Sequence, residues 1–463
     1  MKYLQTIIIA LALLHLFGSC SAVKQCNPPE LDLPEAIVPG ENDTLTIADI
    51  EWWKFYGDSA LCDIINRTLE HNRNLRAAAS HIEQLQELYR IKKAELLPSV
   101  DIRAYADNET NDYAEESFKR DSEFGLKANL SWEIDLWGNL RWAKRKGEAE
   151  WLVSVEDERA IRMTLIAEAA NAYFRLVALD NELSIVQRTL KTREEGVAKA
   201  KLRFEGGLTS ELVYQQTQVE YASTAALIPD LKKRIKITEN ALCLLMGTYP
   251  GEEIRRGDTD LTSSLPESLP VGIPSQLLQR RPDIRAAEQQ LKASLSAVGV
   301  AYTDRFPRLT FNLQGGLEND ELKGFFSSPF SYVLGQVVAP VFSFGRKKAR
   351  YRAALAAYDE SRLNYEQKVL EAFKETDDAV TTYRNVRETT ALKISSCNAA
   401  QKYVELAVLQ YRAGSINYIE VLDAQRRYFD AQIGLSNAVR DENLALVELY
   451  KALGGGWQSS PVQ

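Results

Sequence analysis

Histidine and methionine are scarce, with three of each in 463 residues. Beyond the first twenty positions the histidines are His71 and His81, ten apart, which is not the i, i+4 spacing of a helical metal pair. Met1 aside, only Met163 and Met246 remain, so a Met-, His- or Cys-rich metal relay is missing and no metal site is expected. The five cysteines show neither CxxC nor zinc-ligand spacing, and four beyond Cys20 do not make a disulfide framework in a chain this long. One pair, Cys62 and Cys243, is a candidate bridge; the competing reading is two buried free thiols. GxSxG, Walker and dinucleotide fingerprints are absent, so an enzyme reading has no residues to rest on and no cofactor is expected. Positive charge is not in excess: 56 Lys and Arg face 64 Asp and Glu, which argues against a nucleic-acid partner. After the first twenty residues no run of about 18 apolar residues occurs, so no transmembrane helix is expected. A chain of that kind crosses a membrane only as a closed barrel.

What is present begins with an address. Lys2 precedes the apolar run Ile7–Leu14, too short to anchor a helix across a bilayer. Phe17-Gly18-Ser19-Cys20 follows, and small residues just before a cysteine resemble a bacterial lipobox. Residues 1–19 are therefore read as a lipoprotein signal peptide and Cys20 as the lipid-bearing residue. Ordinary signal-peptide cleavage near Ala22 is the alternative. Ser21 stands where a lipoprotein retained in the inner membrane carries aspartate.

Long glycine-poor stretches of Ala, Leu, Glu, Arg and Lys fill most of the rest, a long-helix composition. Residues 20–58 are a proline-punctuated lead-in ending in Trp52, Trp53, Phe55 and Tyr56, which are expected to pack on the helices that follow. A helix is expected from Ser59 to Leu97, stopped by Pro98. From Gly138 to about Glu205 a proline-free pattern predicts roughly 100 Å of helix at ~1.5 Å per residue. Within it Ala169, Ala172, Leu176, Leu179, Leu183, Val186, Leu190, Val197, Ala200 and Phe204 keep a coiled-coil seam, with Arg193 the lapse. A returning helix is expected over Thr209–Met246, kinked or repacked at Pro229. After a proline-rich linker, 247–274, the order recurs. Asp283-Ile284-Arg285-Ala286-Ala287 follows Asn74-Leu75-Arg76-Ala77-Ala78 by 209 positions, and Gly345, Gly414 and Gly454 follow Gly138, Gly207 and Gly247 by 207. One helix–strand–strand–helix–helix unit is thus duplicated, at 59–246 and 275–453, with a tail at 454–463.

Inside each unit the period changes to two. Val100, Ile102, Ala104 and Ala106 alternate with Asp101, Arg103, Tyr105 and Asp107; Phe124–Leu136 alternates more strongly. The second strand's thirteen residues, at ~3.3 Å each and a ~40° tilt, cover about 30 Å, the depth of a bilayer core. A polar loop, Asn108–Asp121, joins the two. In the second unit Leu309–Leu317 alternates, Glu318–Ser328 is a polar loop, and the return strand Phe330–Phe344 is apolar on both faces. The fold class is mainly α with transmembrane β. Four such strands per chain cannot close a barrel of about eight or more, so either the strands are not in a membrane or two, three or four copies share one barrel.

The two helical hairpins bend at Phe204–Gln218 and Tyr411–Gln425. Each has glycine past a helix end, Gly207 or Gly414, and small polar residues before the next helix: Thr209 and Ser210, or Ser415 and Asn417. Glu420 and Asp423 then share one helix face. In a monomer such acids suit the helix dipole and water; in a symmetric tube they become a ring.

The chain resembles the TolC-type outer-membrane efflux proteins, within them the NodT-type lipoprotein branch. The resemblance runs over essentially the whole chain after the signal peptide. It rests on Leu277-Leu278-Gln279-Arg280-Arg281-Pro282-Asp283-Ile284 with Ala286-Ala287-Glu288, on Tyr411-Arg412-Ala413-Gly414 and Leu422-Asp423-Ala424-Gln425, and on Tyr450-Lys451-Ala452-Leu453-Gly454-Gly455-Gly456-Trp457. It implies a homotrimer with a twelve-stranded outer-membrane barrel and an α-helical tunnel, docked to a periplasmic adaptor and an inner-membrane pump of the RND type. It implies passive conduction of small toxic molecules. For the site it implies an acidic periplasmic gate at Asp423 and Glu420, with Tyr411, Ile416 and Tyr418 beside it. Gly206, Gly207, Gly414 and Ser415 would be adaptor-facing hairpin tips. Ile416 stands where some members carry a basic residue, which favours closure by apolar and acidic rings over an arginine lock. The rivals are a duct for secreted proteins (type I secretion) and, from another class, a lipid-anchored coiled-coil structural or adhesin protein. The thirteen-residue amphipathic strand counts against the latter.

Overall fold

The computed structural model describes residues 46–111, 119–257 and 274–457, with positions 29, 31, 33, 34, 36, 270 and 272. The signal segment 1–19, the lipidation residue Cys20, Cys26 and the tail beyond Trp457 lie outside the described residues. In chain order the elements are α1 (Trp52–Tyr56), α2 (Ser59–His71), α3 (Arg73–Ala94), β1 (Ser99–Asn111), β2 (Lys119–Ile134), α4 (Asn139–Glu205), α5 (Glu211–Leu245), α6 (Pro274–Arg280), α7 (Pro282–Thr303), β3 (Arg308–Asn319), β4 (Pro329–Val338), α8 (Arg346–Arg412) and α9 (Tyr418–Ala452). The chain divides into two compact units, one built mainly of Ser80–Val155 and Ala286–Gln367, the other mainly of Glu156–Arg285 and Lys368–Gln463 with Asp32–Ala79.

The first unit holds one antiparallel sheet in the order β1-β2-β3-β4. Its register carries the alternation across all four strands. Val100, Leu130, Leu313 and Val333 form one continuous row, and Asp101, Asn129, Gln314 and Tyr332 form the neighbouring row on the other face. Period two in each sequence segment thus becomes one apolar and one more polar sheet face. The apolar face is uncovered among the described residues: Ile102 is 75% exposed and Val337 66%. Beside the sheet, Leu291 and Val298 of α7 pack on Tyr358 of α8. Gly299 leaves room for the Trp142 indole of α4, which an added Cβ would overlap.

Three boundaries differ from the sequence expectation. The ladder between β1 and β2 continues to Asn111↔Lys119, so both ends of the expected loop Asn108–Asp121 are strand, and 112–118 lie outside the described residues. Polar residues are no bar to pairing where both strands already run in register. β4 ends at Val338 rather than Phe344, because Pro340 has no N–H to give a ladder. The expected helix from Ser59 to Leu97 is two helices, broken at Asn72. The Asn72 carboxamide oxygen accepts from Asn74 N and Leu75 N, capping α3.

The second unit repeats its own construction. Asn72 Nδ2 donates to Leu245 O at 2.9 Å, and Arg281 Nη1 to Ala452 O at 3.3 Å; Leu245 and Ala452 are 207 positions apart. Both breaks therefore fasten the end of a returning helix. The α4 seam is buried at Ala169, Leu176, Leu179 and Val186. Leu179 and Val186 meet Leu231 of α5, with Phe429 and Ile433 of α9 packed alongside. α5 runs through Pro229 without interruption. The lapse in the seam has a partner: Arg193 Nη1 donates to Glu220 O at 2.7 Å and to Thr224 Oγ1, and pairs with the Glu220 carboxylate at 2.9 Å. The aromatic cluster packs as expected, with Trp52 fully buried and Phe55 stacked on Tyr450 at 4.3 Å. Cys62 and Cys243 are both free thiols, and Cys62 Sγ lies 3.6 Å from Trp53 O.

Candidate functional site

Both hairpin tips lie in the second unit and close in the same way. At the first, Leu208 N donates to Arg203 O at 2.7 Å and Gly207 adopts φ +70°. At the second, Ser415 N donates to Gln410 O at 2.9 Å and Gly414 adopts φ +78°. This six-to-one closure needs a left-handed residue, which glycine supplies without a Cβ clash. The following helices start at Ser210 and Asn417 as N-cap residues, but neither side chain makes a cap bond. Their extended backbone alone starts the helix.

The second tip holds an apolar cluster. Ala407, Val421 and Ala424 are buried, with Tyr411, Ile416 and Tyr418 packed against them. The Tyr411 and Tyr418 rings are 5.2 Å apart. Ile416, Tyr411 and Tyr418 thus meet inside one tip, and Ile416 is a packing residue between α8 and α9. Two contacts join this tip to α4. The Arg203 guanidinium lies 5.8 Å from the Tyr411 ring centroid, and the Tyr418 hydroxyl comes within 3.3 Å of where a Cβ on Gly196 would stand. Higher up, Arg193 lies 5.4 Å from the Phe429 ring centroid. Burial, with Tyr411 beside it, pushes the Tyr418 phenol up.

Asp423 is not a bare acid. Arg426 Nη2 donates to its Oδ1 at 2.6 Å and Arg427 Nε to its Oδ2 at 2.7 Å. The Arg427 hydrogen bond is the largest influence on the carboxyl; slight burial opposes it and the Arg426 bond adds to it, and the result lies below the usual carboxylate range. Glu420 is exposed one turn earlier. Two acids and two guanidiniums balance, so the first turns of α9 carry no net charge. Sequence reasoning found the acids and missed Arg426 and Arg427, although i+3 and i+4 spacing from Asp423 was the available signal. In the first hairpin Gln216 occupies the equivalent position, and its Oε1 is buried without a partner.

Away from the tips, the Arg280-Arg281-Pro282-Asp283 segment is a clamp. Arg281 donates through Nε and Nη2 to both Asp283 oxygens, at 3.0 and 2.7 Å, and through Nη2 to Glu375 Oε2 at 2.6 Å. Its side chain is 6% exposed. Among the described residues no group of His, Cys, Asp and Glu is placed to hold a metal ion.

Comparison with known proteins decides the family, since the outer membrane efflux protein family matches residues 64–248 and 273–455. The chain belongs to the outer membrane efflux protein family. The gap between the two matched stretches is the linker between the repeats, so this family's own pattern carries the duplication. Among efflux-family relatives the chain is 30% identical to the solvent efflux pump outer membrane protein SrpC of Pseudomonas putida, over 99% of this chain and 100% of that one. It is 28% identical to the probable outer membrane lipoprotein SilC of Salmonella typhimurium, over 97% and 98% of the two chains. The solved open state of the MtrE outer membrane channel of Neisseria gonorrhoeae is similar in fold, with a TM-score of 0.82 at 26% identity, covering 94% of this chain and 98% of that one.

Proposed function

We propose that this protein is the outer-membrane channel of a tripartite efflux system, passively conducting small molecules that a pump in the inner membrane drives. The observation that carries it is the four-stranded sheet of membrane-length strands with one apolar face uncovered, in a chain of the efflux family. Three copies pool their strands in a twelve-stranded barrel, apolar face to lipid, which leaves no edge in the hydrocarbon. The long helical hairpins form the periplasmic part of the duct. Their tips at Gly206-Gly207 and Gly414-Ser415 meet a periplasmic adaptor, which links them to an inner-membrane pump of the RND type. The cargo is small toxic molecules, the relatives being named for solvents and for cations alike. Cys20 carries an acyl anchor that tethers the chain to the outer membrane, a reading supported by the lipoprotein relative.

The gate lies at the second tip. With the charges of Asp423, Arg426 and Arg427 paired on the helix surface, closure falls chiefly to the apolar cluster of Tyr411, Ile416 and Tyr418. The Arg203–Tyr411 and Arg193–Phe429 contacts hold α8 and α9 against α4. Opening splays the second hairpin from the first and breaks both contacts, a shift an adaptor biases by binding the splayed form better.

The purified protein in a planar bilayer should give discrete conductance steps, more frequent in Arg203→Ala with Arg193→Leu. A folded trimer without steps in either form overturns the channel reading. Equal step frequency in both forms removes the two contacts from the gate.

A further inference from the structure

Net charge over the chain is −8, yet cations concentrate where strands hand over to helices. α4 opens with Arg141, Lys144, Arg145 and Lys146 before its first acid, Glu148. α8 opens with Arg346, Lys347, Lys348, Arg350 and Arg352 and meets no acid before Asp359. Cations at a helix N-terminus oppose the helix dipole, so helix stability does not account for them.

The sheet brings both helix starts to one end of the first unit. Ile134 pairs with Leu309 and Arg308 with Val338. Trp132 Nε1 donates to Leu96 O at 3.1 Å, Trp137 Nε1 to Pro307 O at 2.8 Å, and the Tyr302 and Tyr351 rings lie 5.5 Å apart. Those contacts fasten the end of α3 and the starts of α4 and α8 to the same rim. Part of the charge is used internally: Asp304 faces Arg308 at 3.1 Å, Lys347 at 3.4 Å and Arg350 at 3.7 Å, and Arg141 pairs with Asp135 at 3.0 Å. Lys93, Arg346, Lys348 and Arg352 are exposed and have no ion-pair partner among the described residues. Lys348 and Arg352, four apart, share a helix face.

Exposed apolar side chains immediately precede the α8 cations in the chain. Val341 is 78% and Phe342 86% exposed, and Phe344 is fully exposed. Phe344 is also the one non-glycine among the described residues with a positive φ, +46°. A left-handed backbone is unfavourable for such a residue, and here it presents an aromatic ring outward. Aromatic rings at headgroup depth with cations just beyond match the chemistry of a membrane–water interface.

We propose that this rim is a collar for anionic phospholipid headgroups of the periplasmic leaflet, with phosphodiester oxygens held by Lys93, Arg346, Lys348 and Arg352 while the exposed aromatics sit among the acyl chains. The collar rests on the barrel reading above. The test uses the full chain in vesicles of equal phosphatidylcholine and phosphatidylglycerol, then counts lipids retained after mild detergent extraction by native mass spectrometry. The native protein should retain phosphatidylglycerol in excess. Arg346→Gln/Lys348→Gln/Arg352→Gln should lower that excess roughly fivefold or more, while Lys191→Gln/Lys199→Gln, on the exposed surface of α4, should leave it unchanged. No excess in the native protein overturns the collar, as does an equal excess in the triple variant or an equal loss in the α4 control. Flotation with vesicles of phosphatidylcholine alone separates the two readings. Insertion there without phosphatidylglycerol excess sinks only the collar; no insertion in any vesicle sinks the barrel and the collar together.

Discussion

At the scale of single residues, charge is spent on fastening before it is available to a channel. Arg281 is the plainest case, a nearly buried guanidinium with two carboxylates and a helix-end carbonyl as partners. Arg281→Met leaves Asp283 without its cation and should destabilise the fold by roughly 3 kcal/mol, read from denaturant unfolding. Arg280→Met, which loses one pair to the half-exposed Asp49, should cost under about 1 kcal/mol. Burial alone would raise the Asp283 carboxyl, but the hydrogen bond and charge of Arg281, helped by Lys368, outweigh it and the net shift is downward from 3.8. A carboxyl depressed in the fold stabilises fully above its unfolded value and loses that contribution as pH falls through its folded one. Stability should therefore decline below about pH 4, and Asp283→Asn should flatten that decline. Asp423 poses the converse question, because its charge is balanced by Arg426 and Arg427. Removing the cations with Arg426→Gln/Arg427→Gln should shift the reversal potential in a salt gradient toward cation selectivity, and Asp423→Asn should shift it toward anions. If neither moves it, these groups do not line the route.

At the scale of elements, the same glycine chemistry serves two different surroundings. Gly207, Gly247, Gly414 and Gly454 all end long helices with positive φ. A Cβ on Gly207 or Gly414 meets nothing within 4 Å, whereas on Gly247 it would stand 2.5 Å from His71 O and on Gly454 3.1 Å from the Arg280 carbonyl carbon. Alanine at either hairpin tip should therefore cost only the left-handed backbone, about 1–2 kcal/mol. Gly247→Ala adds a collision with backbone and should cost at least about 3 kcal/mol; unfolding midpoints of the four variants rank the sites. This contrast also marks what was legible. Helices, strands, repeat and bends could be read because periods of 3.6 and two, and glycine before a small polar residue, are local signals. The break at Asn72 was passed over although its cap on Asn74 N and Leu75 N is local; its hold on Leu245 O, 173 residues away, was not readable. Nor was the role of Arg193, a lapse in the seam until the Glu220 carboxylate and Thr224 are set beside it. The β4 stop was readable at Pro340 and was passed over because the apolar run continues to Phe344.

At the scale of the molecule, one chain leaves a problem that only further chains solve. β1 and β4 are the two edges of the sheet, each with one side unpaired among the described residues. Edge N–H and C=O groups cannot face hydrocarbon, where each unsatisfied group costs several kcal/mol. The exposed apolar face, continuous from Val100 to Val333, likewise calls for a cover that the described residues do not supply. On the barrel reading proposed above, β4 of one copy pairs with β1 of the next until the ring closes. Two copies give eight strands, an interior that side chains fill; three or four give a lumen. Long strands therefore count copies in a way no single residue does, and the count separates a duct from a plugged anchor. Three copies are expected, so light scattering in mild detergent should give three times the mass of the chain from Cys20 onward, somewhat under three times the 52.1 kDa of the full sequence, once the detergent is subtracted. A mass of two chains would leave no conducting barrel and would turn the apolar sheet face into a membrane anchor. Four would widen the lumen and relax the contacts at the hairpin tips on which the gate depends.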